Sequence, residues 1–216
     1  MKEHLPILES PGPAAEAVDE AEAEAKLAAL KDVLVERVQD GVLVAFSGGM
    51  DSAFLLWAAV ETRDEAGGRV VALTTTSPST PDQDKADAKA FSKQLNVEHL
   101  WRRSRELTLP EYARNDRDRC YHCKTELFRI TGEVVAEAEL GWVLYGYNAS
   151  DHGDDRPGHR AAQEAEVLTP LSSVGLTKPE ISFLMRKAGL PLSLKPASPC
   201  LSSRVMTGIE ITPERL

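Results

Sequence analysis

Apolar residues recur at helical spacing in the first predicted element of the chain. Leu27, Leu30, Leu34 and Val38 lie three or four residues apart, so they share one face of a helix. The residues around them are rich in Ala, Glu and Lys, and the pattern predicts a helix over residues 14–39. The stretch before this helix contains three prolines and predicts a loose tail.

Short apolar runs then alternate with segments of helical character. Runs rich in β-branched and aromatic residues predict strands, and the segments between them predict helices. The predicted strands are residues 42–46, 69–77, 98–104, 142–146 and 167–170. The later predicted helices are residues 53–60, 82–96, 119–139, 160–166 and 178–188, and residues 105–119 form a polar loop or short helix. This alternation predicts the α/β class, a Rossmann-like parallel sheet with helices on both faces.

The turn between the first predicted strand and the next helix carries a specific motif. It consists of Ser47, Gly48, Gly49, Met50, Asp51 and Ser52. Adjacent glycines let the backbone come close to a ligand, and N–H groups at a helix start favour an anion. A carboxylate beside a phosphate requires a cation between them, so Asp51 predicts a phosphate chain with Mg²⁺. The alternative is an ordinary glycine turn with a capping side chain.

The motif is neither a Walker A loop, GxxxxGK[ST], nor the dinucleotide pattern GxGxxG. It resembles the SGGxDS loop of the PP-loop ATP pyrophosphatases, which implies cleavage of ATP to AMP and pyrophosphate. In open α/β sheets, ligands lie at the carboxyl ends of strands. Thr75, Thr76 and Ser77 end the second predicted strand and are expected beside the adenine and ribose of ATP. The alternative is that they are ordinary strand threonines.

Composition limits the class of protein. The chain has 216 residues, 42% hydrophobic residues and a formal net charge of −9, as is ordinary for a globular protein. The negative charge argues against a general nucleic-acid-binding surface. No apolar run approaches about 18 residues, so no membrane span is expected. The amino-terminal residues lack the pattern of a secretory signal, which predicts a cytoplasmic protein.

The chain contains three cysteines, an odd number that is poor material for disulfides. Cys120 and Cys123 form a CxxC pair, which is compatible with half a zinc site, an iron–sulfur site or a redox pair. Cys200 lies in a proline-flanked loop, where Arg204 can lower its pKa or bind phosphate. Three thiolates suit a [4Fe–4S] cluster with one open iron. The alternative is three unrelated free cysteines.

Four motifs together resemble the LarE family of ATP-dependent sulfur-insertion enzymes. They are SGGMDS at 47–52, RCYHCK at 119–124, GYNASDHGDDRPG at 146–158 and KPASPCLSSR at 195–204. The resemblance covers about residues 25–216. It implies a PP-loop α/β domain followed by a small carboxyl-terminal domain. It also implies adenylation of a carboxylate of pyridinium-3,5-biscarboxylic acid mononucleotide and its conversion to a thiocarboxylate for the nickel-pincer cofactor of lactate racemase.

The resemblance implies roles for individual residues. ATP phosphates and Mg²⁺ would be held by Ser47, Gly48, Gly49, Asp51 and Ser52, and the nucleotide would be lined by Gly146 and Asp151. Arg204 would contact a substrate phosphate, and Asp51 and Cys200 would be catalytic. In one branch of the family a single cysteine, matching Cys200, gives up its own sulfur. In the other, cysteines matching Cys120, Cys123 and Cys200 bind a [4Fe–4S] cluster that carries a transferable sulfide, and this chain resembles that branch.

The resemblance also implies a domain plan and partners. Residues 1–24 would be a flexible tail and the start of a helix, residues 25–195 the ATP-binding domain, and residues 196–216 the cysteine-bearing loop and the start of a truncated domain. The partners would be a pyridinium mononucleotide, an external sulfide source and a second copy in a homo-oligomer. Two departures from the family are Tyr147 in place of Thr, and Ser150 in place of the first of two Asp. The alternatives are a tRNA thiolase and a non-catalytic nucleotide- or cluster-binding domain.

Overall fold

A four-stranded parallel sheet forms the centre of the molecule. The structure, a computed structural model, describes residues 18–151 and 157–216. The strands are β1 (Val42–Ala45), β2 (Val70–Thr76), β3 (Glu98–Arg103) and β4 (Trp142–Tyr145). Their order across the sheet is β3-β2-β1-β4, and every neighbouring pair is parallel. The predicted fold class is therefore confirmed, whereas most of the predicted amino-terminal tail lies outside the described residues.

Helices connect the strands and follow the sheet. They are α1 (Glu20–Gln39), α2 (Met50–Ala66), α3 (Asp82–Gln94), α4 (Pro110–Ala113), α5 (Arg119–Ala138), α6 (Pro157–Glu164), α7 (Pro170–Ser173) and α8 (Lys178–Lys187). Local signals fix some of their ends. Asp19 caps α1 by accepting a hydrogen bond from the Glu22 N–H, and Thr177 and Glu180 form a reciprocal capping box at α8. No helix within the described ranges is long and apolar enough to cross a membrane.

Both faces of the sheet are covered, because alternate residues of each strand point to opposite sides. In β1, Val42 and Val44 belong to a large core cluster that includes buried residues of α1, α2, α3 and α8. Leu43 belongs to a second cluster on the other face, where it joins Ile130 and Val134 of α5. A fully buried parallel strand explains why this segment is continuously apolar in the sequence.

One strand prediction differs from the structure, and the prediction of a loop or short helix at 105–119 is confirmed. The predicted fifth strand at 167–170 is reduced to an isolated parallel bridge between Leu144 and Leu168. Pro170 begins α7 two residues later, and proline has no N–H with which to extend a ladder. The polar segment 105–119 is largely ordered: it contains a 3₁₀ turn at Glu106–Thr108 and the short helix α4.

Candidate active site

The loop between β1 and α2 has a backbone shape that only glycine can adopt. Gly48 has a positive φ of 77°, and a Cβ there would lie 2.4 Å from the Asp84 carbonyl oxygen of α3. Both the left-handed conformation and the close contact exclude a side chain. Gly49 is the N-cap residue of α2, and no side chain among the described residues caps that helix. The start of a helix without a side-chain cap is a place where backbone N–H groups commonly bind an anion.

Hydrogen bonds within the loop hold its shape. The Ser47 N–H donates to Ser52 Oγ at 3.2 Å, and the two hydroxyl oxygens are 3.1 Å apart. Ser52 Oγ donates in turn to the Gly49 carbonyl at 3.1 Å. Ser52 is also close to Gly146 at the end of β4, where a Cβ would lie 3.0 Å from the Ser52 backbone. The loop is thus held by its own serines and by the neighbouring strand.

A cavity of about 520 Å³ opens at the carboxyl ends of β1, β2 and β4. The predicted site residues that line it are Ser47, Gly49, Asp51, Ser52, Thr75, Gly146, Asp151, Cys123 and Cys200. The other predicted site residues are not among its lining residues: Gly48, Thr76, Cys120 and Arg204. Of these, Gly48 shapes the loop from behind, and Arg204 is exposed to solvent. The cavity has the position expected for a ligand site in an open α/β sheet.

Two aspartate carboxylates line the cavity. Asp51 lies in the first turn of α2, and Asp151 is buried in a 3₁₀ turn after β4. Asp151 accepts a hydrogen bond from the Asn148 N–H at 3.3 Å, and its other oxygen is 3.5 Å from Lys178 Nζ. Proteins commonly hold Mg²⁺ by one or two carboxylates together with substrate phosphates. Asp51 and Asp151 would be the protein ligands of such an ion.

The three cysteines have different surroundings. Cys120 is exposed at the start of α5, Cys123 is partly buried on the cavity wall, and Cys200 is exposed at the cavity. Burial, and next the charge of Glu106, raises the pKa of the Cys123 thiol. The described residues contain no group of three His, Cys, Asp or Glu side chains placed to hold a metal ion. As they lie, the cysteines therefore do not fit a [4Fe–4S] cluster.

Glu106 is a cavity residue that sequence reasoning missed. It is buried, and its Oε1 accepts hydrogen bonds from the hydroxyls of Ser77 at 2.6 Å and Ser79 at 2.5 Å. Its Oε2 accepts from the Ser104 hydroxyl at 3.0 Å and the Cys123 thiol at 3.5 Å. A charged residue in a polar segment gives no sequence signal for such a position. Only the convergence of three serine hydroxyls and the Cys123 thiol on its carboxylate identifies it.

The segment that follows Cys200 is anchored beside α5. Ser202 is fully buried, its Oγ lies 2.6 Å from the Tyr112 hydroxyl, and its carbonyl accepts a hydrogen bond from Arg119 Nη1 at 2.9 Å. Leu201 N–H donates to the Ser79 carbonyl at 2.9 Å. These contacts place Cys200 at the cavity that the loop between β1 and α2 also lines.

The sequence of this chain is similar to those of known proteins. A model of the PP-loop domain family matches residues 20–132, which is more than half of the chain. An uncharacterized protein from Synechocystis is 37% identical over 82% of the chain and 65% of its own length. The pyridinium-3,5-bisthiocarboxylic acid mononucleotide synthase of Lactiplantibacillus plantarum is 29% identical over 89% of the chain and 70% of its own length. The chain thus spans about two thirds of these relatives.

Solved structures show the same fold at low sequence identity. NMN synthetase from Francisella tularensis superposes with a TM-score of 0.58 at 19% identity, over 85% of this chain and 76% of that one. The NH₃-dependent NAD synthetase from Campylobacter jejuni gives a TM-score of 0.61 at 19% identity, over 81% and 75% of the two chains. The matched segment 20–132 contains β1, the glycine loop, α2 and the first half of α5. The chain therefore belongs to the PP-loop domain family.

Proposed function

We propose that this chain uses ATP to adenylate a carboxylate of pyridinium-3,5-biscarboxylic acid mononucleotide and then converts it to a thiocarboxylate. The observation that carries the proposal is that the phosphate loop and Cys200 line one cavity. An activated acyl group formed at the loop would lie within the space that Cys200 faces. The name of the Lactiplantibacillus plantarum relative supports this substrate class, as do the family motifs around Cys200.

The loop residues account for the activation step. The N–H groups at the start of α2 would hold the phosphates, and the hydroxyls of Ser47 and Ser52 lie beside them. Asp51 and Asp151 would hold Mg²⁺, which neutralises phosphate charge when bound. Thr75, at the end of β2, would face the adenosine. Together these groups would place the α-phosphorus where the substrate carboxylate can reach it.

The chemistry divides into three steps. A substrate carboxylate oxygen attacks the α-phosphorus, and pyrophosphate leaves. The Cys200 thiolate attacks the resulting acyl carbon, and AMP departs to leave a thioester. Loss of the Cα proton of residue 200 breaks its Cβ–Sγ bond, which releases the thiocarboxylate and leaves dehydroalanine in the chain.

An iron–sulfur cluster is the alternative source of the sulfur. The resemblance implies that Cys120, Cys123 and Cys200 bind a [4Fe–4S] cluster whose sulfide is transferred, with an external sulfide source to restore it. Cluster binding would require Cys120, which lies away from the cavity lining, to join the other two cysteines. The two sources differ in whether Cys120 is required and in whether the protein holds iron. The cytoplasmic location and the homo-oligomer stay predictions.

ATP–pyrophosphate exchange in the presence of the pyridinium substrate tests the proposal, with mass spectrometry of the product and of the protein. The wild-type protein is expected to exchange pyrophosphate only when the substrate is present, and to form thiocarboxylate. Cys200→Ala should retain exchange and form no thiocarboxylate. Asp51→Asn should lower exchange by about a hundredfold, because it removes charge stabilisation in the transition state.

Cys120→Ala is the variant that separates the sulfur sources. Full transfer by this variant, with dehydroalanine at position 200, identifies Cys200 as the donor. Loss of transfer, in a protein that contains iron and sulfide after anaerobic purification, identifies the cluster. Absence of substrate-dependent exchange in the wild type, or unchanged thiocarboxylate yield from Cys200→Ala, would contradict the proposed function itself.

A further inference from the structure

Lys195 joins the nucleotide loop to the segment that carries Cys200. Its Nζ donates a hydrogen bond to the Gly48 carbonyl at 2.8 Å. The same atom lies 2.7 Å from an Asp84 oxygen and 2.6 Å from an Asp87 oxygen, both on α3. Its side chain is only 11% exposed. One ammonium group therefore connects three parts of the chain that are distant in sequence.

Residues 195–201, which we call the cysteine strap, are fastened at two further points. Ser198 Oγ donates to Asp84 Oδ2 at 3.0 Å. Leu201 N–H donates to the Ser79 carbonyl at 2.9 Å. Cys200 lies between these two contacts, so the position of its sulfur depends on how the strap is held.

The contacts of Lys195 with the two aspartates are largely buried ion pairs, and breaking a buried ion pair is strongly destabilising. Asp84 and Asp87 have side chains that are 11% and 19% exposed, so their attraction to Lys195 is weakly screened by water. Burial acts to lower the pKa of Lys195, but hydrogen bonds to Asp84 and Asp87 more than offset it, and its pKa is raised. Removing the ammonium group would leave two close carboxylates without their shared cation.

We propose that Lys195 is a positioning residue that couples phosphate binding at the loop to the placement of Cys200. The Gly48 carbonyl belongs to the same backbone turn whose N–H groups would hold the phosphates in the proposed function. Lys195 therefore ties the strap directly to the turn at which the phosphates would bind. The inference deepens the proposed function, on which it rests: the same lysine would hold Cys200 over a nucleotide bound at the loop.

The rate of Cys200 alkylation by N-ethylmaleimide, followed by mass spectrometry, measures this coupling. It is compared without nucleotide and with Mg²⁺ and a non-hydrolysable ATP analogue, at concentrations that saturate each variant in equilibrium dialysis. In the wild type the bound analogue is expected to slow alkylation at least about fivefold, the lower end of ordinary coupling between sites. In Lys195→Met the effect should fall below about twofold, because a released strap no longer holds Cys200 over the nucleotide.

Two further variants make the test specific. Lys195→Arg keeps the positive charge and should preserve at least half of the slowing of Cys200 alkylation seen in the wild type. If Lys195 acted through its packing alone, this preservation would not be expected. Lys85→Met is the matched control: it removes a lysine of α3 that pairs with the exposed Asp82, and should behave as wild type. Circular dichroism checks that each variant is folded. If Lys195→Met is unfolded, Asp87→Asn takes its place and should show a reduced effect.

The outcomes distinguish the coupling from the proposed function. Full nucleotide protection of Cys200 in folded Lys195→Met, or in Asp87→Asn if it replaces that variant, would overturn the coupling. So would a wild-type protein whose alkylation is unchanged by bound analogue. A wild type that shows the coupling but no substrate-dependent pyrophosphate exchange contradicts the proposed function alone. Failure of the wild type to bind the analogue contradicts both.

Discussion

Glu106 shows how much of the site depends on single side chains. It is a buried carboxylate on the cavity wall, and its four described donors are three serine hydroxyls and the Cys123 thiol. A carboxylate in its charged form accepts hydrogen bonds and donates none. Its charge therefore opposes ionisation of the thiol 3.5 Å away, in addition to the effect of burial. In this arrangement Cys123 is a protonated thiol and Cys200 the more accessible nucleophile.

Glu106→Gln is expected to make Cys123 more reactive. Removing the negative charge lowers the pKa of the Cys123 thiol, while burial keeps it above the ordinary value. A fall of one pKa unit would raise the thiolate fraction, and so the alkylation rate at pH 8, about tenfold. The measurement is the pH profile of Cys123 alkylation by mass spectrometry. Glu111→Gln, at an exposed position on α4, is the control, and an identical profile in both variants would contradict the role given to Glu106.

The residues of the glycine loop could be predicted from the sequence, but their partners could not. The loop signal is local, because a glycine turn between an apolar run and a helix start is contained within a few residues. Glu106 and Lys195 act through contacts with distant segments, and Lys195 is 147 residues from Gly48. No spacing rule reports such a contact. The same limit applies to the cysteines, since CxxC spacing gave no indication that Cys123 faces Glu106.

At the scale of secondary structure, periodicity was sufficient where an element has one or two buried faces. β1 is entirely buried and α2 buries most of its residues 52–60, and their apolar runs predicted them. Periodicity gave only a coarse prediction for 105–119, a loop or short helix, because most of its side chains are polar and exposed while a few are buried against other segments. Asn115 is the example: it is fully buried although its neighbours in sequence are charged.

Asn115 anchors the carboxyl-terminal segment. The two protons of its Nδ2 are shared among the carbonyl oxygens of Val205, Met206 and Ile209, at 3.3, 2.9 and 2.9 Å. Its own carbonyl accepts the Gly208 N–H at 2.9 Å. Its φ of 56° lies in the left-handed region, which asparagine tolerates better than most residues. One side chain thus satisfies the backbone of a segment that has little regular structure of its own.

Asn115→Ala is expected to lower the free energy of unfolding by about 2–3 kcal/mol, because it removes the hydrogen bonds of a fully buried amide to three carbonyl groups and places alanine in the left-handed region. Amide hydrogen exchange in residues 205–211 should accelerate more than exchange in the sheet. Asn96→Ala is the matched control, since Asn96 also has a positive φ, of 47°, but is exposed. Its cost should stay near 1 kcal/mol. Equal losses in the two variants would show that backbone conformation, and not the carbonyl contacts, explains the effect.

At the scale of the whole molecule, the parallel sheet brings distant segments to one edge. The glycine loop follows β1, the Asp151 turn follows β4, and Glu106 lies just beyond β3. The carboxyl ends of parallel strands share an edge, so these segments converge by topology. The cysteine strap comes from outside the sheet and completes the cavity. The sequence predicted the sheet and hence the edge, but not that the strap would close over it.

The packing of the sheet against α3 makes the stability of the whole molecule sensitive to pH through His99. His99 lies on β3, and its ring nitrogens bond the Thr74 hydroxyl of β2 at 2.8 Å and the Ser92 hydroxyl of α3 at 2.6 Å. Its ring also packs against Phe46 and Trp101, with centroids 5.9 and 4.5 Å away. Burial lowers the pKa of His99 to about 4. The folded protein therefore holds this imidazole neutral at pH values where the unfolded chain would protonate it.

Stability should consequently fall as the pH drops from about 6.5 towards 4, because in that window the unfolded state binds a proton that the folded state does not. The expected loss from His99 is about 1–3 kcal/mol, after allowance for its partial exposure. Urea unfolding of the wild type and of His99→Gln between pH 7 and 4.5 measures it. The variant should be less stable at pH 7 but should lose less stability on acidification, while His122→Gln on α5 should follow the wild type. Carboxylate titration lowers the stability of both proteins equally on acidification. If the wild type and His99→Gln lose the same free energy of unfolding between pH 7 and 4.5, His99 does not have this role.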